Sequence, residues 1–229
     1  MSDKNNRTSI LKILQEKAVV KKDVFEKTKE VFDDLKKVIQ EFSKTLAEDV
    51  KVLDMPLKVA SVEKGKYEIR LTIAGDVLVF MMHSNVFDFE KTHKVHRTSY
   101  VKKDKGNSYC GMINVYNFLA DSFKYNRVND SGYLVGRIFI NQDLHFFVEG
   151  KKEIGFLFND FQNSKFDNKA KIILIETIVK HCLSFELFTP PYHEVAQVSV
   201  DQIETASTIM KMKTGKRLGF HFNADDELV

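Results

Sequence analysis

Between Asp23 and Asp49 the apolar positions recur with helical spacing. Phe25, Phe32, Ile39 and Leu46 fall seven residues apart, Thr28, Leu35 and Phe42 follow three later, and Val24, Val31, Val38 and Thr45 stand one before. Charged residues, Gln and Ser fill the other positions from Glu26 to Lys44, which predicts an amphipathic helix with one apolar stripe. Asp23 followed by Glu26 reads as a variant capping box at its start. Thr8 to Val20 predicts a shorter helix before it, capped by Thr8 or Ser9, with Ile10, Leu11, Ile13 and Leu14 on its apolar side. The ordinary destination of the long stripe is the protein's own sheet, because helices of this kind draw their stability from tertiary packing. The other destination is a copy of itself in a dimer, where Phe at three stripe positions suits a groove broader than a two-stranded seam.

From Leu57 to Glu149 the period changes to two. Tyr67, Ile69, Leu71 and Ile73 alternate with Glu68, Arg70 and Thr72, a strand with one wet face. Gly75-Asp76 turns the chain into the apolar run Val77–Met82, a central strand. Further strands are predicted over His93–Val101, Tyr109–Leu119, Gly132–Ile140 and Leu144–Glu149, with Leu57–Val62 at an edge. Successive hairpins mean an antiparallel sheet of about six strands rather than a doubly wound fold, hence an α+β class with helices on one face. In the last hairpin, a three-residue loop Asn141-Gln142-Asp143 sets Ile140 opposite Leu144, Arg137 opposite Phe147 and Val135 opposite Glu149. One face is then Leu134, Gly136, Ile138, Ile140, Leu144, Phe146 and Val148, wholly apolar. The other carries Val135, Arg137, Phe139, His145, Phe147 and Glu149.

After Gly150 the pattern is helical again. A short helix is predicted over Glu153–Phe161 and a long one over Asp167–Phe188, the candidate for burial against the sheet, ended by Pro190-Pro191. Asp201 and Glu204 would cap a last helix through Ile203, Ala206 and Met210, and Leu218–Phe222 would return as a strand before a frayed acidic tail. The organisation expected is a helical segment over residues 1–50 followed by an α+β domain over residues 51–229.

Composition narrows the class without naming a function. With 229 residues, 43% hydrophobic, 29% charged and only 3 Pro, the chain is neither disordered nor collagen-like. Its 35 basic and 32 acidic residues leave a net charge of +3, too even for a strong steering field. Two cysteines, Cys110 and Cys182, make no disulfide framework and lack zinc spacing. The opening residues carry charge where a signal peptide is apolar, and runs such as Val77–Met82 and Ile172–Ile175 are far short of the ~20 residues that span a bilayer. A reducing cytoplasm, without a membrane partner, is the expectation.

Two places carry candidate chemistry. Asn114, Asn117, Asp121, Lys124, Tyr125 and Arg127 cluster around a connection, Ala120–Ser131, that is long for a hairpin. Long loops are disproportionately functional, and amides, a carboxylate and two cations beside Phe123 and Tyr125 suit a phosphate, a base or a protein surface. The plain alternative is a solvated loop that caps its own turns. Arg137, His145 and Glu149 form the second place. They can do acid–base work, or simply pair Arg137 with Glu149 across the strands with His145 at the edge. His83, His93 and His96 do not complete a metal site, since His93 and His96 on one extended strand point to opposite faces. His181 and Cys182, neighbours on a helix, diverge by about 100° and form no dyad. No Walker-type loop or nucleophile elbow occurs, so no cofactor is expected. Lysines near both ends, Lys4, Lys12, Lys17, Lys21, Lys22, Lys211, Lys213 and Lys216, with Arg7 and Arg217, form either one basic surface suited to nonspecific nucleic-acid binding or, more simply, two solvated segments.

The functional expectation is a non-enzymatic binding or regulatory module, self-associating or docking a protein through the 120–131 loop and an exposed 133–149 hairpin face. Its alternatives are nucleic-acid binding by the basic and aromatic residues of that loop, and hydrolysis by Asp121, His145 or Glu149.

Overall fold

A computed structural model describes residues 2–151, 153–185, 189 and 191–201. Helix α1 (Ser2–Ile13), a π-helical stretch (Leu14–Val19) and α2 (Val20–Val52) run on without a break. Strands β1 (Val59–Glu63), β2 (Glu68–Ile73) and β3 (Asp76–Met82) follow. Residues 83–110 hold the 3-10 turns Lys94–Arg97 and Lys105–Ser108 with α3 (Ser99–Lys103) between them. Then come β4 (Gly111–Leu119), α4 (Ala120–Lys124), β5 (Tyr133–Ile140), β6 (Phe146–Gly150), α5 (Glu153–Leu157), α6 (Asn168–Leu183) and α7 (Tyr192–Val195). The six strands pair in chain order, every pair antiparallel, as an α+β meander. No helix among the described residues is long and apolar enough to cross a membrane.

The long stripe packs inward. Val31, Phe32, Leu35 and Ile39 of α2 share one core with Leu174, Ile175, Ile178 and Val179 of α6 and with Ile69, Leu71, Phe80, Ile113, Val115, Ile138, Phe146 and Val148 of the sheet. Of the three stripe phenylalanines only Phe32 is fully buried; Phe25 and Phe42 seal the flanks. Helix and sheet approach closely at Gly111, where a Cβ would lie 2.0 Å from Thr28 Oγ1, so the contact requires glycine. Asp167 caps α6, its Oδ1 accepting from Ala170 N at 2.8 Å.

Several expectations are corrected. The two N-terminal helices are one: no Gly or Pro interrupts residues 2–52, and the change of phase is absorbed as a π turn. Asp23 and Glu26 therefore lie inside α2 and cap nothing. The β2–β3 turn is Ala74-Gly75, with Ala74 at φ 50. His93–Val101 is not a strand. The His93 ring accepts from Val95 N at 3.4 Å and Thr98 Oγ1 from Val101 N at 3.3 Å, and these caps turn the chain into helical turns. In the last hairpin Ile140 pairs with Phe146, Phe139 with Phe147 and Arg137 with Glu149. Asn141 Oδ1 accepts from the backbone N–H of both Asp143 and His145, and Leu144 turns left-handed at φ 66, so the loop closes two residues wider than expected. A shift of two keeps the faces, and Ile138, Ile140, Phe146 and Val148 lie in the core. Leu134 and Val135 exchange sides because a bulge at Val115/Tyr116 reverses the alternation: Val135 is 2% exposed and Leu134 39%. The helix after Asp201, the strand Leu218–Phe222 and the acidic tail lie outside the described residues.

Candidate binding face

The sheet's second face is divided. At the end where β4 begins and β5 ends, Met112, Phe139 and Phe147 pack with Val95, Val101, Cys110 and Phe161 in a small separate core, with Phe87, Phe89 and Tyr100 at its rim. The Phe139 and Phe147 rings stack at 5.0 Å, and Phe89 and Phe161 meet them edge-on at 5.1 and 5.5 Å. The hairpin face expected to be exposed is thus covered at Phe139 and Phe147, which are 4% and 0% exposed. Two large rings side by side on a wet face bring the 83–110 segment down over them.

Polar ties clasp that cover. Fully buried Asn141 donates from Nδ2 to Tyr100 Oη at 2.9 Å and to the Asn107 carbonyl at 3.1 Å, while Tyr100 donates to Asp143 Oδ2 at 2.6 Å. Burial, then the hydrogen bond to Asp143, pushes the Tyr100 phenol well above its ordinary range. His145 stacks on Tyr100 at 4.2 Å with Nδ1 3.1 Å from the Phe161 carbonyl oxygen. It belongs to the clasp and does not meet Glu149.

Beyond that cover the face is open only in part: Met81 and Leu134 stand exposed, while Val79 and Asn114 are 4% and 8% exposed. Cross-strand register lines up Glu68, Met81, Asn114, Arg137 and Glu149 in one row, and Arg70, Val79, Tyr116 and Leu134 in the next. Arg137 Nη2 lies 2.5 Å from Glu149 Oε2, and His93 Nε2 is 4.0 Å from Glu149 Oε1, so His93 occupies the place beside the carboxylate expected for His145. Burial lowers the His93 pKa; Glu149 works against that shift. Arg70 Nε donates to Glu68 Oε1 at 2.5 Å while its guanidinium lies 4.2 Å over the Phe123 ring. Met81, Leu134 and Phe123 are 39%, 39% and 37% exposed among these charges.

The 120–131 connection is a folded turn at the margin of this face. Tyr125 N donates to Asp121 O at 3.0 Å and Arg127 N to Ser122 O at 2.8 Å, with Asn126 left-handed at φ 48. Arg127 and Asp130 are buried as a pair, Nη1 to Oδ2 3.6 Å, and Ser122 Oγ donates to the same oxygen at 2.9 Å. Asn117 is wholly buried, donating from Nδ2 to Asp76 Oδ1 at 2.8 Å and Tyr133 Oη at 2.9 Å. Arg127 therefore closes the turn on itself and Asn117 joins β4 to β3 and β5, while Asp121 and Lys124 face solvent and Tyr125 is half-buried beneath the Lys124 ammonium, 4.8 Å from its ring. The hydrogen bond to Tyr125 raises the Lys124 pKa.

Of the residues singled out in the sequence, Asn114, Arg137 and Glu149 share a row and Asp121, Lys124 and Tyr125 share α4 and its C-terminal cap. His145 follows the end of β5 and Asp121 the end of β4, and those strands are antiparallel, so the two lie at opposite ends of the sheet. Met81, Leu134, Tyr116 and Arg70 are not among the residues singled out in the sequence, and His93 is among them only as a candidate metal ligand. The alternation in β2 does mark Arg70 for the wet face; Met81 is hidden by its apolar run and Leu134 by the bulge. His83, His93 and His96 do not gather: among the described residues no three His, Cys, Asp or Glu side chains are grouped for a metal ion. No family model matches the chain, and comparison with curated proteins and with solved structures gives no match either.

Proposed function

We propose that the chain is a non-enzymatic binding module that docks a protein surface, a second copy of itself first, on the partly exposed half of its outer sheet face. The observation that carries this reading is the group Met81, Leu134 and Phe123, exposed on regular structure and bordered by the internally neutralised pairs Arg70–Glu68 and Arg137–Glu149. An apolar centre with a polar, charge-balanced rim is the anatomy of a protein interface. The α2 stripe lies in the core, so self-association falls to this face rather than to the helix. Two buried free thiols, Cys110 and Cys182, agree with a reducing, intracellular setting.

No observation favours the other readings. Arg127 is paired with Asp130 and Lys124 lies on Tyr125, which leaves the loop little for a phosphate backbone, and Asp121 and His145 are at opposite sheet ends. Light scattering over a concentration series tests the proposal. A dimer whose dissociation constant rises at least about tenfold in Leu134→Glu, at unchanged melting temperature, supports it. A chain that is monomeric throughout removes self-association, and a dimer indifferent to Leu134→Glu with Met81→Glu removes the face.

A further inference from the structure

Residues 2–19 form an arm of about 27 Å, at 1.5 Å per residue, that continues the α2 rod. No side chain described in it is buried: Ile10, Leu11, Ile13, Leu14 and Val19 are 57%, 57%, 53%, 50% and 50% exposed. Ile10 with Leu14, Ile10 with Ile13, and Leu11 with Leu14 stand four and three residues apart, so these side chains make one short apolar face. From residue 2 to residue 22 the sequence holds Lys4, Arg7, Lys12, Lys17, Lys21 and Lys22 against Asp3 and Glu16. A chain whose total charge is only +3 thus concentrates cations along this unpacked stretch of helix.

We infer that this arm lies on an anionic lipid surface, with Ile10, Leu11, Ile13 and Leu14 in the acyl boundary and the lysines among the headgroups. Charge selects the occupant. A second arm of the same sign repels the first, and the apolar face spans too few turns to offset that repulsion as a coiled coil. An anionic bilayer attracts every lysine, accepts long aliphatic side chains without a shape-matched groove, and lets lysine stems lie along the apolar face with their ammonium groups in water. Because no described helix can cross a bilayer, the arm rests in the plane of the surface. This is independent of the sheet face proposed above.

The chain contains no tryptophan, so Leu11→Trp in the full-length protein is a unique reporter. Its emission shifts to the blue with vesicles containing phosphatidylglycerol and not with pure phosphatidylcholine, and the binding weakens with added salt. Lys12→Ala and Lys17→Ala each weaken it about fivefold. Ile10→Asp with Leu14→Asp abolishes co-sedimentation with the anionic vesicles; both positions are exposed, so the fold is kept. No blue shift on phosphatidylglycerol vesicles overturns the inference. So does co-sedimentation that survives Ile10→Asp with Leu14→Asp, which means attraction to any polyanion. A dimer dissociated by Leu14→Asp, in place of vesicle binding, hands the arm to a second copy and overturns it as well.

Discussion

The inner face of the sheet is closed by two long helices, α2 and α6, whereas the outer face is closed in part by residues 83–110, whose one α-helix has five residues. Both closures bury phenylalanines completely, Phe32, Phe80 and Phe146 inside and Phe147 outside. They differ in what holds the lid. Inside, the lid's own hydrogen bonds are made within the helices, and its apolar stripe is continuous over several turns. Outside, the lid depends on single side chains that stop and turn the backbone, His93, Thr98 and Asp104, and on the Asn141–Tyr100–Asp143 clasp. A lid of this kind loosens locally, and its edge, at His93, borders the open rows where binding is proposed.

Equivalent truncations on the two faces give the largest expected effect. Phe80→Ala removes a fully buried ring between two helices and the sheet and costs about 3–5 kcal/mol, read as a fall in the urea midpoint. Phe147→Ala is expected near the lower end, about 3 kcal/mol, because the irregular lid above it collapses more readily into the space. If Phe147→Ala costs more than Phe80→Ala, the outer closure is as rigid as the inner one and the contrast fails.

Asn141→Ala attacks the clasp alone. It leaves Tyr100, the Asn107 carbonyl and two turn N–H groups without their partner, at about 1–3 kcal/mol. Amide exchange should quicken across residues 94–109 while α2 stays protected. Equal quickening in both would mean that the two closures open together.

These lids also explain what could be read beforehand. The seven-residue recurrence from Phe25 to Leu46 and the alternation from Tyr67 to Ile73 are periodic, so the inner core, the meander and the inward set Ile138, Phe146 and Val148 were legible. Residues 83–110 have no period. Their organisers, a ring nitrogen on Val95 and a hydroxyl on Val101, look in sequence like any solvated turn. For the same reason the alternation alone points to Phe139 and Phe147 as a contact surface, although an equally aromatic stretch at Phe87 and Phe89 is the signal that they are covered. The cross-strand partnership of Arg137 and Glu149 was readable; the intrusion of His93 was not, because it requires the path of the lid.

Arg137→Ala probes the open rows with little disturbance to either closure. Arg137 and Glu149 are 44% and 35% exposed, so losing the pair costs at most about 1 kcal/mol in the urea midpoint. A loss near that of Phe147→Ala would show Arg137 to be part of the lid's support instead of a free-standing rim residue.

The subtlest effect is the pH response at the seam between lid and open rows. Burial lowers the folded-state pKa of His93 below 6.5, with Lys94 and His96 in the same direction and Glu149 and Glu90 opposed. In the window below 6.5 the unfolded chain therefore holds more protons than the folded one, and stability rises with pH across it. This contribution is present at neutral pH and is lost on acidification toward the depressed value. Urea midpoints compared at about pH 7 and about pH 5.5 should fall further for the wild type than for His93→Asn, whose side chain does not titrate there. A variant that loses as much as the wild type would mean that the ring is already solvated, and that the outer lid stops short of Glu149.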